Sequence, residues 1–158
     1  MNYDVLIVGT GIAGLYTALN LRDDIRILMI TKNSFRDCNS YLAQGGISTS
    51  LGLFDEENYF NDTVKAGNYH NDTKAVKLLI KNSIENINTL IKLGVPFDKT
   101  KEKLNYTREG GHSEFRIVHV KDETGKSVTE TLLNIVSKKR NITMLENTAL
   151  IDLICKDN

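Results

Sequence analysis

The chain opens on an apolar run, Tyr3-Asp4-Val5-Leu6-Ile7-Val8, of the kind that forms a buried parallel strand. Gly9-Thr10-Gly11-Ile12-Ala13-Gly14 follows at once, and Leu15 to Leu21 continues as a helix with no breaker. A second apolar run, Arg26 to Thr31, returns as the next parallel strand and completes a βαβ unit beginning at residue 3. Farther on, residues 55–67 are polar and mixed and predict a short helix and loop. Asp72 is placed to cap a long helix reaching Leu93, with Val76, Leu79, Ile80, Ile84, Ile87, Leu90 and Ile91 as its apolar face. Gly94 and Pro96 end that helix. Residues 97–106 predict a lysine-rich loop or hairpin, and residues 125–140 another helix with Val128, Leu132, Ile135 and Val136 inward. Residues 142–146 and 149–154 predict two more strands. The fold class is therefore α/β, with a parallel sheet, and no internal repeat or low-complexity linker interrupts it.

The glycine loop carries the first chemistry. Gly9 permits a tight turn, Gly11 lets the backbone approach a pyrophosphate, and Gly14 lets the helix pack close to the strand. The helix N-terminus offers free N–H groups to phosphate charge. Strand, turn and helix around the GxGxxG pattern make Gly9, Thr10, Gly11, Ile12, Ala13 and Gly14 candidate dinucleotide contacts. The acidic residue usual at the end of the second strand is missing, because that end reads Ile30-Thr31-Lys32. Lys32 is either a donor to the ribose or adenine side of the ligand or an ordinary solvated lysine.

Charge narrows the partners. Twenty basic and twenty acidic residues cancel, so nothing points to nucleic acid or to a membrane surface. No apolar run approaches the ~20 residues of a membrane span. The N-terminus lacks a basic region before its apolar stretch, so no signal peptide is expected. Cys38 and Cys155 are far apart and read as free thiols of a reducing, cytoplasmic compartment. His112 and His119 have no cysteine partner and no dense carboxylate cluster, so no metal site is expected.

The segment Asn39-Ser40-Tyr41-Leu42-Ala43-Gln44-Gly45-Gly46-Ile47 adds most. Two adjacent glycines let a backbone lie against a flat ring, and the Gln44 amide both donates and accepts. Read with Thr31-Lys32, the segment resembles the flavoprotein subunits of succinate dehydrogenase and fumarate reductase together with L-aspartate oxidase. A third stretch, Thr107-Arg108-Glu109-Gly110-Gly111-His112-Ser113 with Arg116-Ile117-Val118-His119 and Asp122-Glu123-Thr124-Gly125, is similar to the L-aspartate oxidase branch of that family.

The resemblance implies a Rossmann-like FAD-binding domain. FAD would be held by residues 9–14, Lys32, residues 39–46 (Asn39, Ser40, Tyr41, Leu42, Ala43, Gln44, Gly45 and Gly46) and the backbone near Ala149 and Leu150. It implies that Glu109, otherwise read as a surface carboxylate, recognises the substrate amino group. It further implies noncovalent flavin, because the histidine that carries covalent FAD in some relatives is matched by Asn39. The activity implied is oxidation of L-aspartate to iminoaspartate with fumarate or oxygen as electron acceptor. The product would feed quinolinate and NAD synthesis, with quinolinate synthase downstream. The resembled enzymes are several times longer, and their acid/base arginine cannot be placed here. The expectation is thus an incomplete, N-terminal portion of one FAD-binding domain (residues 1–158) without its capping and C-terminal helical domains, inactive alone. The alternatives are a fumarate reductase or succinate dehydrogenase fragment, or an inactive nucleotide-binding remnant.

Overall fold

The computed structural model describes residues 2–155, which fall into two compact units. The first takes in the chain up to Ala43 and from Gly125 onward, and the second is Gln44–Thr124. In chain order the elements begin β1 (Val5–Val8), α1 (Ile12–Asn20), β2 (Ile27–Ile30), α2 (Asn39–Leu42), β3 (Ile47–Ser48), α3 (Glu56–Ala66) and α4 (Thr73–Lys92). They continue with β4 (Lys99–Thr100), β5 (Lys103–Leu104), β6 (Tyr106–Thr107), β7 (Ile117–Val118), α5 (Thr124–Val136) and β8 (Ile142–Leu145).

The first unit is built on a parallel sheet of order β1-β2-β8. Val5 to Val8 pair with Ile27 to Ile30, and Ile27 to Ile30 pair in turn with Ile142 to Leu145. The central strand is the most buried: Ile27, Met29 and Ile30 are all enclosed, as a strand with neighbours on both sides requires. Leu15 and Ala18 of α1 and Val128, Leu132, Leu133 and Val136 of α5 are buried with them. Leu6, Val8 and Leu145 remain exposed. At the start of β1, Asp4 accepts from the Arg26 backbone N–H at 2.9 Å and from its guanidinium at 2.7 and 3.0 Å. Those bonds from Arg26 hold the Asp4 carboxyl well below its ordinary range, at about 2.

The second unit pairs two helices with short antiparallel strands of order β3-β7-β6 and a separate β4–β5 hairpin. The hairpin meets the expectation for residues 97–106. Its two turn residues, Lys101 and Glu102, both take positive φ (48° and 71°), the conformation that suits a two-residue hairpin turn. Helix α4 begins as expected, with Asp72 Oδ1 accepting from the N–H groups of Lys74 (2.8 Å) and Ala75 (3.3 Å). It ends at Gly94, whose φ of 101° turns the chain so that the Val95 N–H reaches the Leu90 carbonyl at 3.0 Å.

Two expectations need correction. The buried stripe of α4 is Val76, Ile80, Ser83, Ile87 and Leu90, while Leu79 and Ile84 are exposed. The spacing of four and three residues makes a narrow seam, and α4 uses it against α3, where Tyr59, Val76 and Ile80 cluster with Phe60 and Val64. Ser83 fits the seam because its hydroxyl is satisfied: it donates to the Ile80 carbonyl at 2.7 Å and accepts from the Ser50 N–H at 2.8 Å. Residues 149–154 are not a strand, and Ile151, Leu153 and Ile154 lie exposed. Apolar residues alone do not fix extended backbone, and no ladder partner reaches this segment among the described residues.

These differences predict unequal effects along one helix. Ile80→Ala, in the α3–α4 seam, should destabilise by about 2–5 kcal/mol. Ile84→Ala, 43% exposed, should cost less than about 1 kcal/mol. Urea unfolding of the two variants checks this, and equal losses would contradict the seam.

Candidate functional site

In the first unit the glycine loop is assembled by its own backbone and by residues 35–40. The β1–β2 ladder extends into the loop through the Gly9 N–H, which donates to the Ile30 carbonyl at 2.8 Å. Gly9 then turns with φ of 106°. A side chain at Gly14 would run into the Gly9 carbonyl and meet Ile7, so α1 approaches β1 only because residue 14 is glycine. Thr10 is buried, and its hydroxyl donates to the Phe35 carbonyl at 3.0 Å. The Ser40 hydroxyl accepts from the Ile12 N–H at 3.1 Å, and a β-carbon on Gly11 would crowd that same oxygen. No side chain of α1's own caps it and its first turn carries no acid to compete with an anion there.

Residues 39–43 open with the short helix α2, whose Ala43 carbonyl accepts from the Gly125 N–H at 2.9 Å. A side chain at Gly125 would strike the Ser40 and Ala43 carbonyls, so α5 can start there only with glycine. Tyr41 donates to Glu130 at 3.1 Å; burial first, and then this carboxylate, pushes the Tyr41 hydroxyl above its ordinary range. Past β8, the Thr148 N–H donates to the Thr31 carbonyl at 2.9 Å and the Asn147 N–H to the Asn33 carbonyl at 3.2 Å. Ala149 and Leu150 thus follow directly on a segment tied to the end of β2, where Lys32 stands exposed. The first unit therefore gathers the glycine loop with Ser40, and Lys32 with the approach to Ala149, around the carboxyl ends of its parallel strands.

The second unit holds Gln44, Gly45, Gly46 and Glu109. Gln44 and Gly45 are exposed. Gly46 answers to packing: a side chain there would collide with Ile117 and the Val118 carbonyl of β7. Glu109 is exposed and reaches back to this pair of glycines, its Oε1 accepting from the Gly46 N–H at 3.4 Å. Glu109 also begins a turn, closed by the His112 N–H donating to the Glu109 carbonyl at 3.2 Å with Gly111 at φ of 86°. The QGG and EGGH stretches, separate in sequence, thus meet through Glu109.

The group beside this turn had no role assigned from the sequence. Arg116 has no exposed surface and is ion-paired to Asp55, itself wholly buried, at 2.6 Å and to Asp62 at 2.5 Å. The one signal available was the spacing Asp55, Tyr59, Asp62 on α3, the i, i+4, i+7 pattern of a buried helix face with acids in two of its places. Burial pulls the Arg116 guanidinium down, but Asp55 and Asp62 outweigh it and its pKa is raised, so it stays charged. Burial pushes the Asp62 carboxyl up, yet the Ser113 N–H, the Arg116 guanidinium and the Ser113 hydroxyl together hold it below its ordinary value. Among the described residues no group of three or more His, Cys, Asp or Glu side chains is clustered for a metal ion, and no helix is long and apolar enough to cross a membrane. Cys38 and Cys155 are both free.

Residues 4–158 match the family model described as FAD binding domain. The chain is similar to the L-aspartate oxidase of Clostridium acetobutylicum, with 55% identity over 156 residues, covering 98% of this chain and 36% of that protein. It shares 46% identity over 155 residues with the L-aspartate oxidase of Clostridium perfringens, covering 98% of this chain and 35% of the relative. Its structure superposes on Mycobacterium smegmatis Sdh1 in complex with UQ1 with a TM-score of 0.88 and 27% identity, over 98% of this chain and 29% of that one. The chain spans about a third of the length of the curated relatives it matches.

The lowered Asp62 pKa carries a sign. A carboxyl depressed in the folded state contributes stability that is fully present above its unfolded pKa, about 3.9, and is lost as pH falls through the folded value. Asp62→Asn cannot ionise, so the stability of that variant should fall less steeply with pH below about 4. Urea unfolding across the acid range measures this, and parallel profiles for the two proteins would contradict it.

Proposed function

Because the chain belongs to the FAD binding domain family, we propose that it supplies the FAD-holding part of an enzyme that oxidises L-aspartate to iminoaspartate. The glycine loop fits the cofactor. The Gly9–Gly14 loop leads into a helix whose first turn carries no acid, and the space facing Gly9 is open, as the approach of a pyrophosphate needs. The Ala13 N–H and the Ser40 hydroxyl, which accepts from Ile12 and keeps its own proton to donate, would hold the phosphates, and Lys32 and residues 149–150 the ribose and adenine side. Residues 39–46 would line the ring. Asn39 has no nucleophilic nitrogen for a covalent link, so the cofactor is held by noncovalent contacts. When bound, FAD supplies the two-electron acceptor that no side chain of this chain provides.

One observation carries the substrate reading: the Glu109 carboxylate is exposed and tethered to the Gly45–Gly46 backbone, on the segment assigned to the flavin. A carboxylate there pairs with the ammonium that aspartate has and succinate lacks. The similarity to L-aspartate oxidases supports the same role. Selectivity follows from pairing, because a buried polar group left without its partner costs about 1–3 kcal/mol. Fumarate or oxygen would take the electrons afterwards, and an enzyme making quinolinate would consume the product.

The test is turnover of L-aspartate and of succinate by the holoenzyme carrying this chain, compared with its Glu109→Gln variant. The expected result is preference for aspartate and a loss of aspartate kcat/KM of about 10- to 100-fold in the variant. Comparable turnover of both substrates by the unmodified enzyme would instead favour a fumarate reductase or succinate dehydrogenase. No turnover of either would favour a nucleotide-binding remnant.

A further inference from the structure

We propose that Arg116 is a positioning residue for Glu109: a buried guanidinium that fixes the far end of the Glu109 turn and so sets where the amine-recognising carboxylate stands. This rests on the reading of Glu109 given above. The guanidinium has five N–H groups, and the structure gives it five partners. Nε donates to Asp55 Oδ2 at 3.1 Å and Nη2 to Asp55 Oδ1 at 2.6 Å. Nη1 donates to Asp62 Oδ2 at 2.5 Å and lies 3.2 Å from His112 Nδ1. Nη2 also donates to the Ser113 hydroxyl, at 3.4 Å. The Tyr59 ring lies 5.0 Å from the guanidinium carbon. With every donor used and no exposed surface, Arg116 has nothing left to offer a ligand.

What it holds is the turn. His112 and Ser113 are the two residues that follow Gly110 and Gly111, and both contact Arg116. Arginine only donates, so His112 Nδ1 must accept, which puts the imidazole proton on Nε2. Ser113 is held again by Asp62, through its N–H and its hydroxyl, each at 2.7 Å. The other end of the turn leaves β6, paired to β7 through Tyr106 with Val118 and Thr107 with Ile117. Between these anchors Glu109 has one long side-chain bond of its own, to Gly46. Two glycines give the turn its shape but no stiffness. The direction of the carboxylate is therefore set by the anchored ends.

Lysine keeps the charge of Arg116 but has three donors on one nitrogen, so it cannot serve Asp55 bidentately and also reach Asp62 and His112. The experiment compares the holoenzyme with Arg116→Lys, Glu109→Gln and the double variant, measuring kcat/KM for L-aspartate and the inhibition constant of succinate. The flavin spectrum serves as the check on folding. Arg116→Lys should lower the aspartate value about tenfold while shifting succinate by less than about threefold, and its effect should vanish in the Glu109→Gln background. Equal losses for both ligands, or a loss that persists undiminished without Glu109, would overturn the proposal and leave Glu109's role standing. Should Arg116→Lys not retain flavin, Ser113→Ala keeps the Arg116–Asp55 pair and removes one tie to the turn. It should lower the aspartate value about threefold, again only when Glu109 is present, and no change would overturn the proposal. A Glu109→Gln enzyme with an unaltered preference between aspartate and succinate would sink the reading of Glu109, and this proposal with it.

Discussion

Arg116 brings a full positive charge into a place with no access to water. Left alone, such an ion would cost several kcal/mol in lost hydration. The second unit is arranged to answer it. Asp55 stands at the start of α3 and meets the guanidinium fork with both carboxylate oxygens, and Asp62, two turns farther along, accepts from Nη1 with Oδ2 alone. Asp55 also accepts from the Leu51 N–H at 3.2 Å, which ties the approach to α3 into the same cluster. Tyr59, between the two acids, faces Arg116 and donates its hydroxyl to the Ser48 carbonyl of β3 at 3.2 Å. One buried cation thus connects a helix start, a strand and the Glu109 turn. Removing either partner would strand an uncompensated charge, so the cluster is held as a whole.

The first unit solves a related problem with backbone instead of side chains. Its glycine loop must leave N–H groups unpaired at the start of α1, which is tolerable only if the loop itself is rigid. Rigidity comes from the Gly9 N–H continuing the ladder, from Thr10 bonded to Phe35, and from Ser40 on the Ile12 N–H. Gly14 lets α1 lie against β1 with a carbonyl where a side chain would otherwise be. The start of α1 presents its positive dipole end, and no acid stands in its first turn.

Much of this was legible in the sequence where one local rule decides the outcome. The βαβ unit follows from two apolar runs around a glycine loop, and α4 from its Asp72 cap and Gly94 exit. Residues whose state depends on distant neighbours were not legible. Leu79 and Ile84 obey the helical period but fall beside a seam only one helix wide, and Ser83 enters it through a hydrogen bond that periodicity does not register. Residues 149–154 have strand composition and no ladder. Gly46 reads as a residue for close approach to a ring, whereas β7 already excludes a side chain there. Arg116 and Asp55 look like surface charges in a list of residues, and only their meeting across 61 positions makes them core.

The FAD-holding role proposed for this chain requires noncovalent contacts that depend on the Gly9–Gly14 loop. The visible absorption spectrum of the purified holoprotein, taken beside that of a Gly14→Ala variant, tests it most directly. The expected result is flavin bands that survive desalting and pass into the supernatant on acid precipitation, and a variant that loses them because its new side chain displaces the Gly9 carbonyl. A protein that stays colourless with added FAD, colour that remains with the acid pellet, or a variant as yellow as its parent would contradict it.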